Sequence, residues 1–258
     1  MTMAPPSAPA IAPATREPPP APGRTIVVGD LHGCRDEALD LLDRLAVTSR
    51  DRVIFTGDLV DRGPDPKGCV ALARQHACVL GNHEDLHVAQ RRRPAEALRP
   101  DHARTRGLLD EDDLDWFATL PLWLRLPEHG AAVVHAGALP GLALEEQPRR
   151  ALLHAQCLDP AGSGRTAWPS KAPPGWRFWT DAWTGPERLI FGHTVLDRPL
   201  VLPHAVGVDT GCVHGLALTA VVLPGWELVQ VPARRPWCTS RGRGVARYPV
   251  AAGVSCFS

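Results

Sequence analysis

Five short apolar runs, each ending in a side chain able to bind a metal ion, constrain this chain more than any other feature. Thr25 to Val28 leads into Gly29-Asp30-Leu31-His32-Gly33, and Arg52 to Thr56 leads into Gly57-Asp58-Leu59-Val60-Asp61-Arg62-Gly63. Ala77 to Leu80 runs into Gly81-Asn82-His83-Glu84, Ala131 to Val134 into His135-Ala136-Gly137, and Arg188 to Phe191 into Gly192-His193-Thr194. In open α/β sheets, ligands bind in the crevice outside the carboxyl ends of the strands, so five such ends side by side can surround one small volume. The pattern therefore predicts an α/β fold with its polar chemistry gathered at one edge.

The rest of the chain agrees with that reading. Its 258 residues are 44% hydrophobic and carry a formal net charge of zero. That suffices for a sizeable core and gives no general field to attract nucleic acid or an anionic membrane surface. No apolar run reaches the length of about 18 residues that spans a bilayer, and no cationic start precedes a short apolar stretch. The expectation is a cytoplasmic monomer without nucleic-acid or membrane partners. Seven scattered cysteines without a CxxC pair read as reduced thiols, not a disulfide framework or zinc knuckle. Residues 1–23, rich in Pro and Ala, are expected to be disordered, and 233–258 to form a poorly ordered Arg- and Gly-containing tail whose arginines are solvated. The catalytic domain is placed at 24–232.

Within that domain, Asp36 to Leu45 and Lys67 to His76 have helical apolar spacing, so two βαβ units and a parallel sheet open the chain. Glu84 to Leu120 reads as a helical cap beside the site. Leu122–Leu126 and Ala131–Val134 form a hairpin, Ala205–Val208, Leu216–Leu223 and Trp226–Val231 read as further strands, and the strand-rich second half suggests a second sheet packed on the first. The stretch from Gly141 to Glu187, rich in Pro, Gly and Trp, is too long for a passive connection and is expected to face substrate.

Asp30 and His32 stand two apart, and in an extended chain such residues share a side, so both can grip one ion. Asp58 arrives from a neighbouring strand end and can bridge two ions through its two oxygens, with Asn82, His135 and His193 completing the second. Imidazole and oxygen without thiolate suit two divalent cations, Mn²⁺ first, with Fe or Zn²⁺ as alternatives. Paired ions about 3.5 to 4 Å apart lower the pKa of a water between them and clamp an in-line displacement at phosphorus. Arg62, four residues past Asp58, supplies a bidentate donor for phosphoryl oxygens. His83 is placed as general acid, and Asp61 as the group that holds its other ring nitrogen and keeps it protonated at neutral pH.

In this order and with these gaps, GDLHG, GDLVDRG, GNHE, VHAG and FGHT resemble the calcineurin-like metallophosphoesterase superfamily, and DRG with GNHE resembles its phosphoprotein phosphatase branch. The likeness runs from about Arg24 to Val231. It implies a four-layer fold, a two-sheet β-sandwich flanked by helices, and hydrolysis by metal-bound hydroxide without a covalent intermediate. Within the branch the chain is nearest in style to bacterial enzymes acting on phosphoproteins or symmetrical dinucleoside tetraphosphates, and Val208-Asp209-Thr210-Gly211-Cys212 resembles theirs. Val195 stands where many superfamily members have a second histidine after the last metal His. The Trp-Ser-Asp-Pro stretch and the late Tyr-bearing motif of eukaryotic protein phosphatases are missing, and dinucleoside tetraphosphatases often lack the Asp that is Asp61 here. A second phosphate-binding arginine is expected among Arg149, Arg150 and Arg177.

These features rank a serine/threonine-type protein phosphatase first, a bis(5'-nucleosyl)-tetraphosphatase second, and a non-catalytic metal- or nucleotide-binding module third. The substrate is thus expected to be a phosphorylated protein or a nucleotide. The other histidines, His87 and His102 among them, read as surface or satisfied core residues. Trp168, Trp176, Trp179 and Trp183 read as packing ahead of base stacking, and Asp209 is left out of the site.

Overall fold

The computed structural model describes residues 23–238. The chain opens with β1 (Thr25–Val28), α1 (Arg35–Arg44), β2 (Arg52–Phe55), α2 (Pro66–Ala73) and β3 (Ala77–Cys78). Helices α3 (Asn82–Ala89), α4 (Pro100–Arg106) and α5 (Glu111–Thr119) follow, then β4 (Trp123–Leu126), β5 (Ala131–Val134) and α6 (Arg149–His154). Short strands β6 (Cys157–Leu158), β7 (Thr166–Ala167) and β8 (Arg177–Phe178) precede β9 (Arg188–Phe191), β10 (Leu200–Val201), β11 (Ala205–Gly207), β12 (Ala217–Leu223) and β13 (Glu227–Pro232).

The strands form three sheets, ordered β13-β12-β1-β2-β3, β10-β11-β9-β5-β4 and β7-β6-β8. In the first, β1, β2 and β3 run parallel while β12 joins β1 antiparallel. In the second, β5, β9 and β11 run parallel, flanked by antiparallel β4 and β10. Side chains alternate between the two faces of a strand, and these central strands are apolar on both, so each face needs its own cover. Ile26, Val28, Val53 and Phe55 pack with Leu41 of α1 and Val70 of α2. Val27 and Ile54 turn the other way, onto Val133, Ile190 and Val206 of the second sheet. Ala132, Val134, Leu189 and Phe191 then close against Leu152 of α6 and the indoles of Trp179 and Trp183. Helix, sheet, sheet and helix follow one another, which is the four-layer α/β arrangement that the resemblance implies.

Local chemistry sets the helix ends. Asp65 accepts the Gly68 N–H at 2.8 Å with Pro66 opening α2, and Asp110 and Asp113 form a reciprocal capping box on α5. The run expected as a strand from Ala77 to Leu80 pairs only over Ala77–Cys78, because Leu80 turns its N–H to Pro121 O and Gly81 already caps α3. The tail expected from 233 begins as packed chain. Arg234 pairs with Asp36 at 2.7 Å and Asp40 at 3.0 Å, and the Trp237 indole N–H donates to Glu37 at 2.9 Å while its ring joins the first core. Residues 1–22 and 239–258, which hold most of the two expected disordered segments, lie outside the described residues. No described helix is long and apolar enough to cross a membrane. Cys34, Cys69, Cys78, Cys157 and Cys212 are buried free thiols.

One carboxylate fixes how β1 and β2 start. Asp51 accepts from the backbone N, Nε and Nη2 of Arg24 at 3.0, 3.1 and 2.9 Å, and from Thr48 N and Oγ1 at 2.9 and 3.1 Å. Thr25 and Arg52 are register partners immediately after these residues, so the clamp aligns the strands that end at Asp30 and Asp58. The Arg24 hydrogen bonds hold the Asp51 carboxyl well below the usual carboxylate range. Its contribution to stability is therefore complete above the unfolded-state pKa of about 3.9 and is lost as the pH falls toward the lower folded value. Asp51→Ala should cost about 1–3 kcal/mol at pH 7 in urea denaturation, and the deficit should shrink below about pH 4. A deficit that stays constant down to pH 2 would contradict this role.

Candidate metal centre

Six parallel strands, three from each large sheet, end at one edge of the molecule. The turns that follow carry Asp30 and His32 after β1, Asp58 after β2, Asn82 and His83 after β3, His135 after β5, His193 after β9 and Asp209 after β11. These turns are tight and strained. His32 (φ 45°), Asp58 (50°), Asp61 (69°), Arg62 (66°) and His193 (65°) all have left-handed backbones, and Ala46 and Trp226 are the only other described non-glycine residues there. Such conformations cost about 1–3 kcal/mol each and persist where the surroundings over-determine them. Two glycines let the turns close: a Cβ on Gly57 would come within 2.6 Å of Gly81 N, and one on Gly192 within 2.0 Å of Asp30 Oδ1.

The buried Asp58 carboxylate lies at the middle. Its Oδ2 faces His32 Nε2 at 3.5 Å and His83 Nε2 at 3.9 Å, while Oδ1 faces His135 Nε2 at 3.4 Å. His32, Asp58 and His83 form one group of potential ligand atoms within 4.8 Å of one another, and Asp58, His135 and His193 a second. His135 Nδ1 lies 2.8 Å from Thr56 O and must donate to it, which leaves Nε2 facing Asn82 Oδ1, 3.0 Å away, and Asp58, with its lone pair toward them in the form of the ring that binds metal. Acceptors converging in this way repel one another unless a cation sits among them. His32 repeats the pattern, with Nδ1 on Val60 O at 2.9 Å and Nε2 against Arg62 Nη1 at 2.5 Å, where the guanidinium supplies positive charge. Burial pushes the His32 and His193 pKa values well below the ordinary histidine value, so both rings are neutral, the form that binds metal. The donor set therefore fits two divalent cations sharing Asp58. Asp30 Oδ1 accepts from Thr56 Oγ1 and Oδ2 from His193 N, both at 2.9 Å, which leaves each oxygen a further lone pair.

The charges are arranged in opposition. Burial opposes ionisation of Asp58, yet the surrounding His135, His83, His32 and His193 hold its carboxyl well below the usual range. Asp30 is driven the other way, by burial and by the Asp209 and Asp58 carboxylates. Asp209 itself is pushed up to about 6, chiefly by burial. It belongs to the cluster, and its position at a sixth strand end was the sequence signal that could have placed it there.

Asp61 meets His83 as expected, Oδ2 to Nδ1 at 2.5 Å, but it also meets His87 Nε2 at 2.9 Å and His102 Nε2 at 3.0 Å. His87 and His102 are thus satisfied core residues, as expected, and their partner is the carboxylate that also holds His83. His87 follows His83 by one helical turn on α3, which is the signal that could have found it. Three imidazole hydrogen bonds outweigh burial and keep Asp61 well below the ordinary carboxylate range. His83 departs from expectation: burial lowers its pKa despite Asp58 and Asp61, and its Nε2 accepts from Arg62 Nη2 at 3.0 Å. The ring is neutral here, not protonated at neutral pH.

A cleft of about 1250 Å³ opens over the centre, walled by the cap helices on one side and the 141–187 insert on the other. Arg62, Arg93, Arg99, Arg149, Arg150 and Lys171 line it against the carboxylates of Asp58, Asp85 and Asp101. Arg149 is held by Asp85 at 2.6 Å and Arg99 by Asp101 at 3.6 Å, whereas Arg93, Arg150 and Lys171 form no ion pair among the described residues. Arg177 does not line the cleft, so of the three arginines considered for a second phosphate contact, Arg149 and Arg150 reach it.

The family model described as calcineurin-like phosphoesterase matches residues 23–216, and the chain belongs to that family of metal-dependent hydrolases. A dinuclear divalent metal centre goes with this fold. An asymmetrical bis(5'-nucleosyl)-tetraphosphatase, PrpE of Halalkalibacterium halodurans, is 28% identical over 243 residues, covering 84% of this chain and 97% of the relative. A symmetrical bis(5'-nucleosyl)-tetraphosphatase of Chromohalobacter salexigens is 31% identical over 268 residues, covering 81% and 98%. A crystal structure provisionally assigned as a diadenosine tetraphosphatase superposes with a TM-score of 0.72 at 30% identity, covering 83% of this chain and 96% of that one.

Glu84 closes the site from below, and sequence reasoning gave it no role. Its carboxylate accepts the backbone N–H groups of Asp58, Leu59 and Val60 at 2.9, 2.9 and 3.2 Å. Burial and the nearby Asp58 push its pKa up to about 8 against the pull of these donors. Glu84→Ala leaves three buried N–H groups without an acceptor and should cost about 3 kcal/mol or more in urea denaturation. A loss below about 1 kcal/mol would show that the Asp58 turn holds itself.

Proposed function

We propose that the chain hydrolyses the phosphoanhydride chain of dinucleoside tetraphosphates, with diadenosine tetraphosphate as the reference substrate. The observation that carries this reading is the cationic lining of the cleft beyond Arg62. A phosphoserine side chain brings one phosphoryl group and needs one such contact, whereas a four-phosphate chain brings charge along its length and gives Arg93, Arg150 and Lys171 partners. Relatives described as bis(5'-nucleosyl)-tetraphosphatases over nearly their whole length support the same order. The protein-phosphatase reading that the sequence ranks first therefore moves to second place.

In this reading Asp30, His32 and Asp58 would hold one divalent cation, and Asp58, Asn82, His135 and His193 the other, with Mn²⁺ the favoured metal. When bound, the pair supplies Lewis-acid chemistry and a water of lowered pKa. The Val60 and Thr56 carbonyls hold Nδ1 of His32 and His135, so that Nε2 of each faces the Asp58 carboxylate and would be free to bind an ion there. Arg62, now spread across His32 and His83, swings its two nitrogens onto phosphoryl oxygens as a bidentate donor. That movement frees His83 Nε2, and the negative charge of the entering polyphosphate favours its protonation. Asp61 holds Nδ1, which leaves Nε2 placed to give a proton to any leaving oxygen too basic to depart as an anion.

Two measurements test this. With Mn²⁺, kcat/KM for diadenosine tetraphosphate should exceed that for a phosphoserine peptide by about a hundredfold, close to 3 kcal/mol of transition-state discrimination. A peptide hydrolysed as well as the dinucleotide would restore the protein-phosphatase reading. His83→Asn should slow an alkyl phosphate, whose leaving group needs a proton, by about 10²–10⁴-fold, and the tetraphosphate, whose leaving group does not, by far less. Equal losses on both would remove general-acid duty from His83.

A further inference from the structure

The 141–187 insert contributes more than charge to the cleft. Trp168 lines it half-buried, with its indole centroid 5.6 Å from that of His193 and the rings tilted by 31°. The backbone holds the indole there. Trp168 follows β7, precedes Pro169, and accepts the Lys171 N–H at 2.8 Å to close a single 3-10 turn, which brings Lys171 onto the same wall. Strand β7 is tied to the end of α6, since Thr166 Oγ1 accepts from Gln156 N at 2.8 Å and donates to His154 O at 3.2 Å. Cys157 pairs antiparallel with Ala167, and Gln156, just before β6, and Trp168, just after β7, both line the cleft. Gln156 is 2% exposed, lines the same cleft, and its Nε2 has no hydrogen-bond partner. A buried amide donor without an acceptor is costly unless something arrives to accept from it.

We infer that Trp168 and Gln156 form a nucleobase subsite, in which the base of a bound nucleotide stacks on the indole and a ring nitrogen or carbonyl of the base accepts from Gln156 Nε2. This rests on the nucleotide reading of the cleft above. An indole face takes any base, so Trp168 supplies affinity, while the single donor of Gln156 selects for a base edge with an acceptor toward it. Lys171, one turn past the indole, lies where it can meet the phosphates that follow the sugar. The centre itself thus needs to recognise only phosphate, and the insert recognises that the phosphate belongs to a nucleotide.

Calorimetric titration of the Mn²⁺-loaded full chain with ADP and with pyrophosphate tests the subsite apart from turnover. Wild type should bind ADP more tightly than pyrophosphate, and Trp168→Ala should weaken ADP at least tenfold more than pyrophosphate, the range that stacking of one base supports. Trp168→Phe should recover most of the loss, and Gln156→Ala should weaken ADP severalfold while leaving the indole contribution in place. Equal weakening of both ligands by Trp168→Ala would mean that the indole only shapes the centre through His193, and an unchanged ADP affinity would mean that no base rests on it. Either result overturns the subsite. The wild-type rate on diadenosine tetraphosphate is read separately: its absence would remove the proposed function, and a tenfold ADP-specific loss would still establish the subsite.

Discussion

The architecture depends on one buried carboxylate shared between two sets of nitrogen ligands. Asp58 faces His32 and His83 on one side and His135 on the other, in a space where ionised groups are costly unless they are compensated. In the described state the nearest positive charge is Arg62, pressed against His32 and His83. On the proposed reading, two bound cations would take over that role and leave Arg62 for substrate. The same interaction therefore links metal binding, the conformation of the phosphate-binding arginine and the state of His83.

Holding that carboxylate in place takes contributions from every layer. The Arg24–Asp51 clamp aligns β1 with β2, the apolar interface of Val27, Ile54, Val133 and Ile190 aligns the two sheets, and Glu84 ties down the three N–H groups of the Asp58 turn. What remains is strain, concentrated in five left-handed residues that all belong to the centre. The fold spends stability on this edge and recovers it in three cores, the usual division between a rigid scaffold and a strained site.

Much of this was legible in the sequence because two strong periodicities coincide there. Apolar strands covered on both faces leave continuous runs such as Thr25–Val28 and Ala131–Val134, and the ligands sit at fixed offsets beyond them. Asp30, His32, Asp58, Asn82, His83, His135 and His193 could therefore be named together. Partnerships that depend on distant elements could not. His102 reaches Asp61 from α4, some forty residues away, in a segment with no apolar rhythm to orient it, and Glu84 acts on backbone groups, which leave no trace in residue type. The protonation state of His83 was misjudged for a related reason: sequence showed the carboxylate partner but not the depth of burial that outweighs it. Trp168 and Gln156 reach the same cleft through the pairing of two-residue strands, too short for any pattern to announce.

The central claim, that two cations share Asp58, is tested most directly by electron paramagnetic resonance of the protein titrated with Mn²⁺. A spin-coupled dinuclear spectrum should grow in as the second equivalent is added and saturate at two ions per chain. A spectrum that remains that of isolated mononuclear Mn²⁺ at every loading would contradict it.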